Sequence, residues 1–109
     1  MRGHFVMEAT VVVQEALEGP AVDRCRRLIA DALALSPQQL VIDLRRASSM
    51  DPAALVFLLQ VHRQMVCADG RLVLRSPTPR VRRLLRLTRV DQMVNIDDSV
   101  PLVASAGNR

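Results

Sequence analysis

The chain has 109 residues, of which 50% are hydrophobic and 24% charged, and it carries a formal charge of +4. This length supports one small domain with one core over residues 1–109, and the composition is that of a folded chain rather than a disordered one. No apolar run approaches the roughly 20 residues that a membrane-spanning helix needs, and the first residues lack a long apolar signal region, so we expect a cytoplasmic protein with no membrane insertion.

The first third of the chain predicts a strand followed by a helix. Residues 5–15 are rich in Val and fit one long strand or a very short hairpin, but no Gly, Asn or Pro is present to make the turn. The first strand is therefore expected to be shortened or fused to the second. Gly19-Pro20 begins a helix that Ser36-Pro37 ends. Its inward stripe is predicted to contain Val22, Cys25, Leu28, Ile29, Ala32 and Leu33.

The central stretch predicts a buried strand over residues 40–44 and a long helix over 52–69. Asp51 can cap the helix, Pro52 suits its first position, and Gly70 is expected to be its left-handed stop. On a helical wheel, the stripe facing the core is Leu55, Leu58, Leu59, His62, Met65 and Val66. Ala53, Phe57 and Gln60 fall on the opposite side, which predicts an exposed Phe57 available to a partner.

The last third predicts a strand over residues 71–75, a helix over 79–91 and a short strand over 93–96. Thr78-Pro79 repeats the cap-then-proline start, and the inward positions of this helix are predicted to be Val81, Leu84, Leu85 and Thr88. Residues 99–104 fit a final helical turn, and 105–109 a frayed tail. Strands alternating with helices predict an α/β fold with a mainly parallel sheet.

Reactive or metal-binding groupings are absent from the sequence pattern. Cys25 and Cys67 lie in separate predicted helices without a Cys-x-x-Cys spacing, which predicts two buried, reduced thiols and no metal. His62 lies on an apolar stripe, where a hydrogen-bonded core or boundary histidine is the simpler interpretation, and Asp51 already has a capping role. No phosphate-binding loop or Ser-His-Asp set is present, so we expect a protein that is not an enzyme and needs no cofactor.

A basic face is predicted on the helix over residues 79–91, and it raises nucleic acid as a partner. All 15 basic residues of the chain are Arg, whose planar forks suit carboxylate or phosphate. No aromatic residue is interleaved to stack on bases, and the chain contains no Tyr or Trp. We therefore expect a solvated face rather than a specific nucleic-acid site. The arginines concerned are Arg80, Arg82, Arg83, Arg86 and Arg89.

Taken in order, several motifs resemble the core of STAS domains, particularly bacterial anti-anti-sigma factors. The resemblance covers about residues 11–103. It implies a four- or five-strand, mainly parallel sheet with about four helices packed largely on one side. The family normally opens with a hairpin. The motifs are Asp43-Leu44, Met50-Asp51-Pro52-Ala53-Ala54-Leu55, Leu58-Leu59, His62-Arg63, the 69–74 strand entry and the 79–91 helix.

The most informative departure from the family is at position 53. The family pattern Ile-Asp-Ser-Ser-Gly-Leu has its phosphoacceptor at the second Ser, where this chain has Ala53, with Pro52 for the first Ser and Ala54 for the Gly. Since Ala53 has no hydroxyl, we expect that this position cannot be phosphorylated. Constitutive binding, a substitute phosphosite at Ser48 or Ser49, and a scaffold role all stay open.

By resemblance, the expected function is that of a non-catalytic anti-sigma factor antagonist. Its implied partner is an anti-sigma factor with a histidine-kinase-like ATP-binding fold, and phosphorylation by that partner would break the complex. One alternative is a STAS-type subunit or ligand-binding module of a transporter or stress-sensing assembly, and a weaker one is a nucleic-acid binder. The sequence leaves the oligomeric state open. The predicted partner-binding residues are Asp51, Pro52, Ala53, Ala54, Phe57 and Gln60.

Overall fold

The structure, a computed structural model, describes residues 7–98. This part of the chain contains four strands, three α-helices and one 3-10 helix, Val90–Gln92. In chain order the other elements are β1 (Glu8–Val12), α1 (Pro20–Leu33), β2 (Gln39–Asp43), α2 (Pro52–Cys67), β3 (Arg71–Arg75), α3 (Pro79–Leu87) and β4 (Asn95–Asp97).

All four strands join one sheet in the order β1-β2-β3-β4, and each neighbouring pair is parallel. Gln39 of β2 lies opposite Glu8 on one side and Arg71 on the other, so the three longer strands are aligned without a shift at their starts. Each strand is connected to the next through a helix, as parallel pairs require. This architecture confirms the predicted α/β fold with a parallel sheet.

One core lies between the sheet and the helices. Alternate residues of the central strands, such as Leu40 and Leu72, join a cluster that also contains Ile29 of α1, Leu58 of α2 and Leu85 of α3. Because alternate side chains of a strand point to one face, the three helices share that face of the sheet. Val41, which points to the other face, is also fully buried, as predicted for a strand covered on both sides.

The buried face of α2 is rotated from the predicted one. Phe57 is only 8% exposed, whereas Val66 is 53% exposed, so the predictions of an exposed Phe57 and a buried Val66 are both wrong. The reason is that α2 is covered by α1 as well as by the sheet: the guanidinium of Arg26 on α1 lies 4.5 Å from the ring centroid of Phe57. The buried residues of α2 are Ala54, Leu55, Phe57, Leu58, Val61 and Met65.

The end of α2 also differs from the prediction. Asp69, with a φ of 59°, is the left-handed residue, and Gly70 is not. The N–H of Asp69 donates to Val66 O at 3.0 Å and that of Gly70 to Met65 O at 2.8 Å, which is the Schellman pattern of a helix end. Gly70 is needed for close packing instead, because a Cβ there would lie 2.7 Å from the backbone oxygen of Gln38.

Residues predicted to face inward on α1 and α3 are less buried at the helix margins. Leu28 and Thr88 are exposed, and the hydroxyl of Thr88 donates to Leu84 O at 2.8 Å. Cys25 is buried as predicted, but Cys67, at the last turn of α2, is exposed; both thiols are free. Helix faces are only partly covered near their edges, which the wheel alone does not show.

Several boundaries move by a few residues. α3 ends at Leu87 rather than at residue 91 because Arg89 adopts a left-handed conformation, with a φ of 63°, before the 3-10 helix. β4 begins at Asn95, two residues later than predicted. A single strand precedes α1 within residues 7–19. The helical turn predicted over 99–104, the frayed tail over 105–109, and residues 5 and 6 of the predicted first strand lie outside the described residues.

Candidate functional site

Two loops run side by side beyond the carboxyl ends of β1 and β2. Leu17 and Met50 form a parallel bridge, the N–H of Leu17 donates to Ser49 O at 2.9 Å, and the N–H of Asp51 donates to Leu17 O at 3.0 Å. These bonds continue the pairing of the two strands into the loops. They hold the starts of α1 and α2 next to each other, at the edge of the sheet where open α/β folds bind ligands and partners.

Asp51 connects these two helix starts. One oxygen of its carboxylate accepts from Ala54 N at 2.8 Å, which is the predicted N-cap of α2, and the other accepts from Gly19 N at 3.1 Å, at the start of α1. The N–H groups of Ala54 and Gly19 favour the charged form and hold the pKa of Asp51 below its usual range, although partial desolvation opposes them. Asp51 therefore caps α2 and also links the starts of α1 and α2.

The exposed side of α2 begins next to Asp51. Pro52, Ala53 and Gln60 are exposed and accessible to a partner, whereas Ala54, also predicted to bind a partner, is 1% exposed and belongs to the core. Val56 is 54% exposed and lies one turn after Ala53 and one turn before Gln60. We name Pro52, Ala53, Val56 and Gln60 the α2 surface. It excludes Phe57, which is buried.

Val56 is the residue of this surface that sequence reasoning missed. A usable signal was present, because positions 53, 56 and 60 follow the i, i+3, i+7 spacing of one helix face. The predicted core-facing stripe was centred on the wrong side of the helical wheel, which placed Phe57 on the exposed face. The exposed valine gives the helix start a small apolar patch, formed with the methyl group of Ala53, where a solvated helix would carry polar side chains.

Ser48 and Ser49 differ in how accessible their hydroxyls are. The Oγ of Ser49 donates to the Glu18 carboxylate at 2.6 Å, and this side chain is half-buried. That bond adds a side-chain connection to the backbone bonds and the Asp51 carboxylate that already join the loop before α2 to the loop before α1. Ser48 is exposed. A modifying enzyme would meet Ser48 more readily than Ser49.

Asp43 and His62 have separate surroundings and do not form a common site. Asp43 is buried and accepts from Arg45 N at 2.9 Å and from Arg45 Nη2 at 3.1 Å, which orders the loop after β2. His62 is half-buried, and its Nδ1 has no hydrogen-bond partner within residues 7–98. In the same part of the chain, no three His, Cys, Asp or Glu side chains are grouped as metal ligands.

The arginines around α3 are partly neutralised by nearby carboxylates. Arg82 forms an ion pair with Asp98, and Arg75 at the end of β3 pairs with Asp97 at 3.2 Å. Arg80, Arg83 and Arg86 are exposed. None of the helices within residues 7–98 is long and apolar enough to cross a bilayer.

Comparison with known proteins gives a consistent result. The STAS domain family model matches residues 6–102. Among solved structures, a candidate anti-sigma factor antagonist from Thermotoga maritima superposes with a TM-score of 0.75 at 21% identity, covering 92% of this chain and 88% of that chain. The unphosphorylated form of the anti-sigma factor antagonist SpoIIAA superposes with a TM-score of 0.67 at 20% identity, covering 96% and 92%. At these identities the likeness shows a shared fold. No curated protein sequence matches the chain.

Proposed function

The chain belongs to the STAS domain family, and from that premise we propose that it is a non-catalytic regulator that binds an anti-sigma factor through the α2 surface. The observation that carries the proposal is the apolar patch of Ala53 and Val56 at a helix start that Asp51 pins to α1. The fold neighbours described as anti-sigma factor antagonists support the same class of partner.

A rigid helix start with a small apolar patch suits protein binding. Because Asp51 and the Ser49–Glu18 bond fix the two loops, the patch needs little ordering when a partner arrives, and less conformational entropy is lost on binding. Ala53 is short, so a partner can approach the backbone of the helix closely at that point. Val56 would then enter the partner as the main apolar contact.

The partner we propose is a cytoplasmic anti-sigma factor with a histidine-kinase-like ATP-binding fold. Position 53 offers that kinase no hydroxyl, so the complex would not be released by modification there. If a substitute phosphosite exists, the exposure of Ser48 favours it over Ser49, whose hydroxyl is bound to Glu18. A phosphate on Ser48, in the loop just before the α2 surface, would add about −1.5 to −2 charges beside an interface that excludes water.

A binding titration with such an anti-sigma factor tests the proposal, and α2 offers a matched pair of variants. Val56→Asp should weaken binding by about 2 kcal/mol or more, because it places a carboxylate in the apolar contact. Val66→Asp is the control, since Val66 is equally exposed on the same helix but two to three turns away. Calorimetry would give both affinities, and thermal unfolding would establish that both variants fold.

Equal affinities for the two variants would show that the first turns of α2 are not part of the interface.

Regulation is tested separately, by incubating the protein with the kinase and ATP and measuring the intact mass and the masses of its peptides. We expect no phosphate at residue 53 in the natural sequence and stoichiometric phosphate in Ala53→Ser. Phosphate on Ser48 of the natural sequence would show that the switch has moved rather than been lost.

A further inference from the structure

Among the residues that the structure describes, the outer edge of β1 carries backbone hydrogen-bonding groups that no other strand uses. Within residues 7–98, β1 is paired with β2 only, and it forms one end of the sheet. At its two ends, Met7 O accepts from Gln39 N at 3.2 Å and Val13 N donates to Asp43 O at 3.0 Å. Because successive residues of a strand direct their backbone groups to opposite edges, the odd residues bond to β2, and Glu8, Thr10 and Val12 direct theirs outward.

Exposed apolar side chains lie along the same edge. Met7, Val12, Leu28 and Leu35 make up half of the large hydrophobic side chains that are exposed within residues 7–98. These residues line two adjoining grooves where β1 meets α1, with the side chain of Val12 on the face of the sheet away from α1, because its neighbours Val11 and Val13 are in the core. An open strand edge beside apolar side chains is the combination that monomeric proteins normally avoid.

We propose that this edge pairs with the same edge of a second copy of the chain, in an antiparallel arrangement centred on Thr10. The four described strands of each copy then join into one continuous sheet. The proposal is independent of the anti-sigma factor interface, since the two surfaces share no residue.

The residue pattern of β1 makes this edge complementary to itself. With Thr10 opposite Thr10, the outward backbone groups of Glu8 face those of Val12 in the other copy, so every outward residue of the strand has a partner. Opposed threonines are a favourable cross-strand pair. Glu8, which already accepts from Gln39 Nε2 at 2.8 Å, lies opposite a valine rather than opposite another Glu8. The register therefore avoids a like-charge contact.

The helices beside the edge support the same pairing. In a continuous sheet the two-fold axis is perpendicular to the sheet, so both α1 helices lie on the same face and run antiparallel across the axis. Leu28 of the two copies would then be near each other. Arg24, on the same stripe of α1 as Leu28, already pairs with Glu15 of its own copy at 2.7 Å, so the contact across the axis would rest on Leu28 rather than on a charge pair.

Placing a charge at the axis provides a sharp test. Only a two-fold pairing centred on residue 10 places this side chain opposite itself, so Thr10→Lys and Thr10→Glu should each repel. Sedimentation equilibrium of the full chain over a range of concentrations should show a dimer for the natural sequence. Each single variant should raise the dimer dissociation constant by about tenfold or more, and an equimolar mixture of the two should restore dimers.

The control is Asn95→Lys, at an exposed position on β4 at the other edge of the sheet, which should leave the dissociation constant unchanged. Circular dichroism would show that all variants remain folded. A natural protein that stays monomeric at all concentrations would overturn the proposal. So would a dimer that is insensitive to both charge variants, or a mixture that fails to dimerise.

Discussion

The ring of Phe57 is buried between α1 and α2, under the guanidinium of Arg26, and forms one wall of a groove between the two helices. Phe57→Ala should lower the free energy of unfolding by about 3–5 kcal/mol, since it removes a buried aromatic and leaves a cavity. Denaturant unfolding measures this change. Val56→Ala is the matched control, because Val56 is the preceding residue of the same helix but is exposed; it should change stability by about 0.5 kcal/mol or less. Similar losses for both variants would contradict the packing described.

The carboxylate of Asp51 should make the stability of the protein depend on pH in acid. Its pKa is held below its usual value by the N–H groups of Ala54 and Gly19, so the folded state binds a proton less readily than the unfolded state. The stabilisation is therefore complete above the unfolded pKa, about 3.9, and is lost as pH falls through the folded pKa.

Asp51→Asn isolates this contribution, because Asn also caps a helix well but does not titrate in this range. The difference in unfolding free energy between the natural protein and Asp51→Asn should be constant from about pH 5 to 8 and should move against the natural protein below about pH 4. Urea unfolding across this range measures the difference. A difference that does not change with pH would show that the carboxylate is not held by the two helix starts.

At the scale of elements, the join between α2 and β3 depends on a close approach of two backbones. Gly70→Ala should destabilise the protein by about 1–3 kcal/mol, because the new Cβ would meet Gln38 O, a backbone atom that cannot move aside easily. Asp69→Gly is the companion variant: Asp69 has the left-handed φ, so glycine there should be neutral or mildly stabilising. A neutral Gly70→Ala would mean that the strand and the helix end are less tightly packed.

Elements with strong local signals could be predicted from the sequence. The start of α2 and the whole of β3 were predicted at their observed bounds. Both signals are local in the sequence: Asp51 caps the helix that begins at Pro52, and the apolar run of β3 lies between two arginines. Helix faces and ends could not be predicted as well. Whether Phe57 or Val66 is buried depends on where α1 lies. Whether Gly70 or Asp69 adopts the left-handed conformation depends on how closely the backbone at residue 70 approaches that of Gln38.

The candidate site was predictable to the same extent. The motif located Asp51, Pro52 and Ala53 at a helix start, and they lie there. It did not show that Ala54 belongs to the core or that Val56 is exposed, because both depend on the rotation of α2 against the sheet and α1. Nor did it show the bond from Gly19 to Asp51, which joins residues 32 positions apart.

At the scale of the whole molecule, the sheet and the inner faces of the helices form one core, which includes Cys25. The reactivity of the Cys25 thiol therefore measures how often this core opens. Burial raises the pKa of the Cys25 thiol to about 11, whereas Cys67 is exposed. At pH 8 we expect a disulfide reagent to label Cys67 rapidly and Cys25 only as fast as the core opens. The rate for Cys25 should rise with urea in parallel with unfolding.

Cys67→Ser provides the control for this experiment, because it should remove the rapid phase and leave the slow one unchanged. Mass spectrometry of the labelled protein would assign each phase to its residue. Two rapid phases in the natural protein would show that α1 separates from the sheet without global unfolding, which one shared core does not allow.

The order of the strands has a consequence for how the chain is made. Within residues 7–98, each strand after β1 bonds to the strand that immediately precedes it in the sequence, and paired residues such as Glu8 and Gln39, or Gln39 and Arg71, are only about 30 positions apart. During translation, every strand that leaves the ribosome after β1 can therefore dock at once on one that is already present, and none has to wait for a later strand to be inserted between earlier ones. Such a sheet can grow from one side in the direction of synthesis, with its newest strand always at the growing edge.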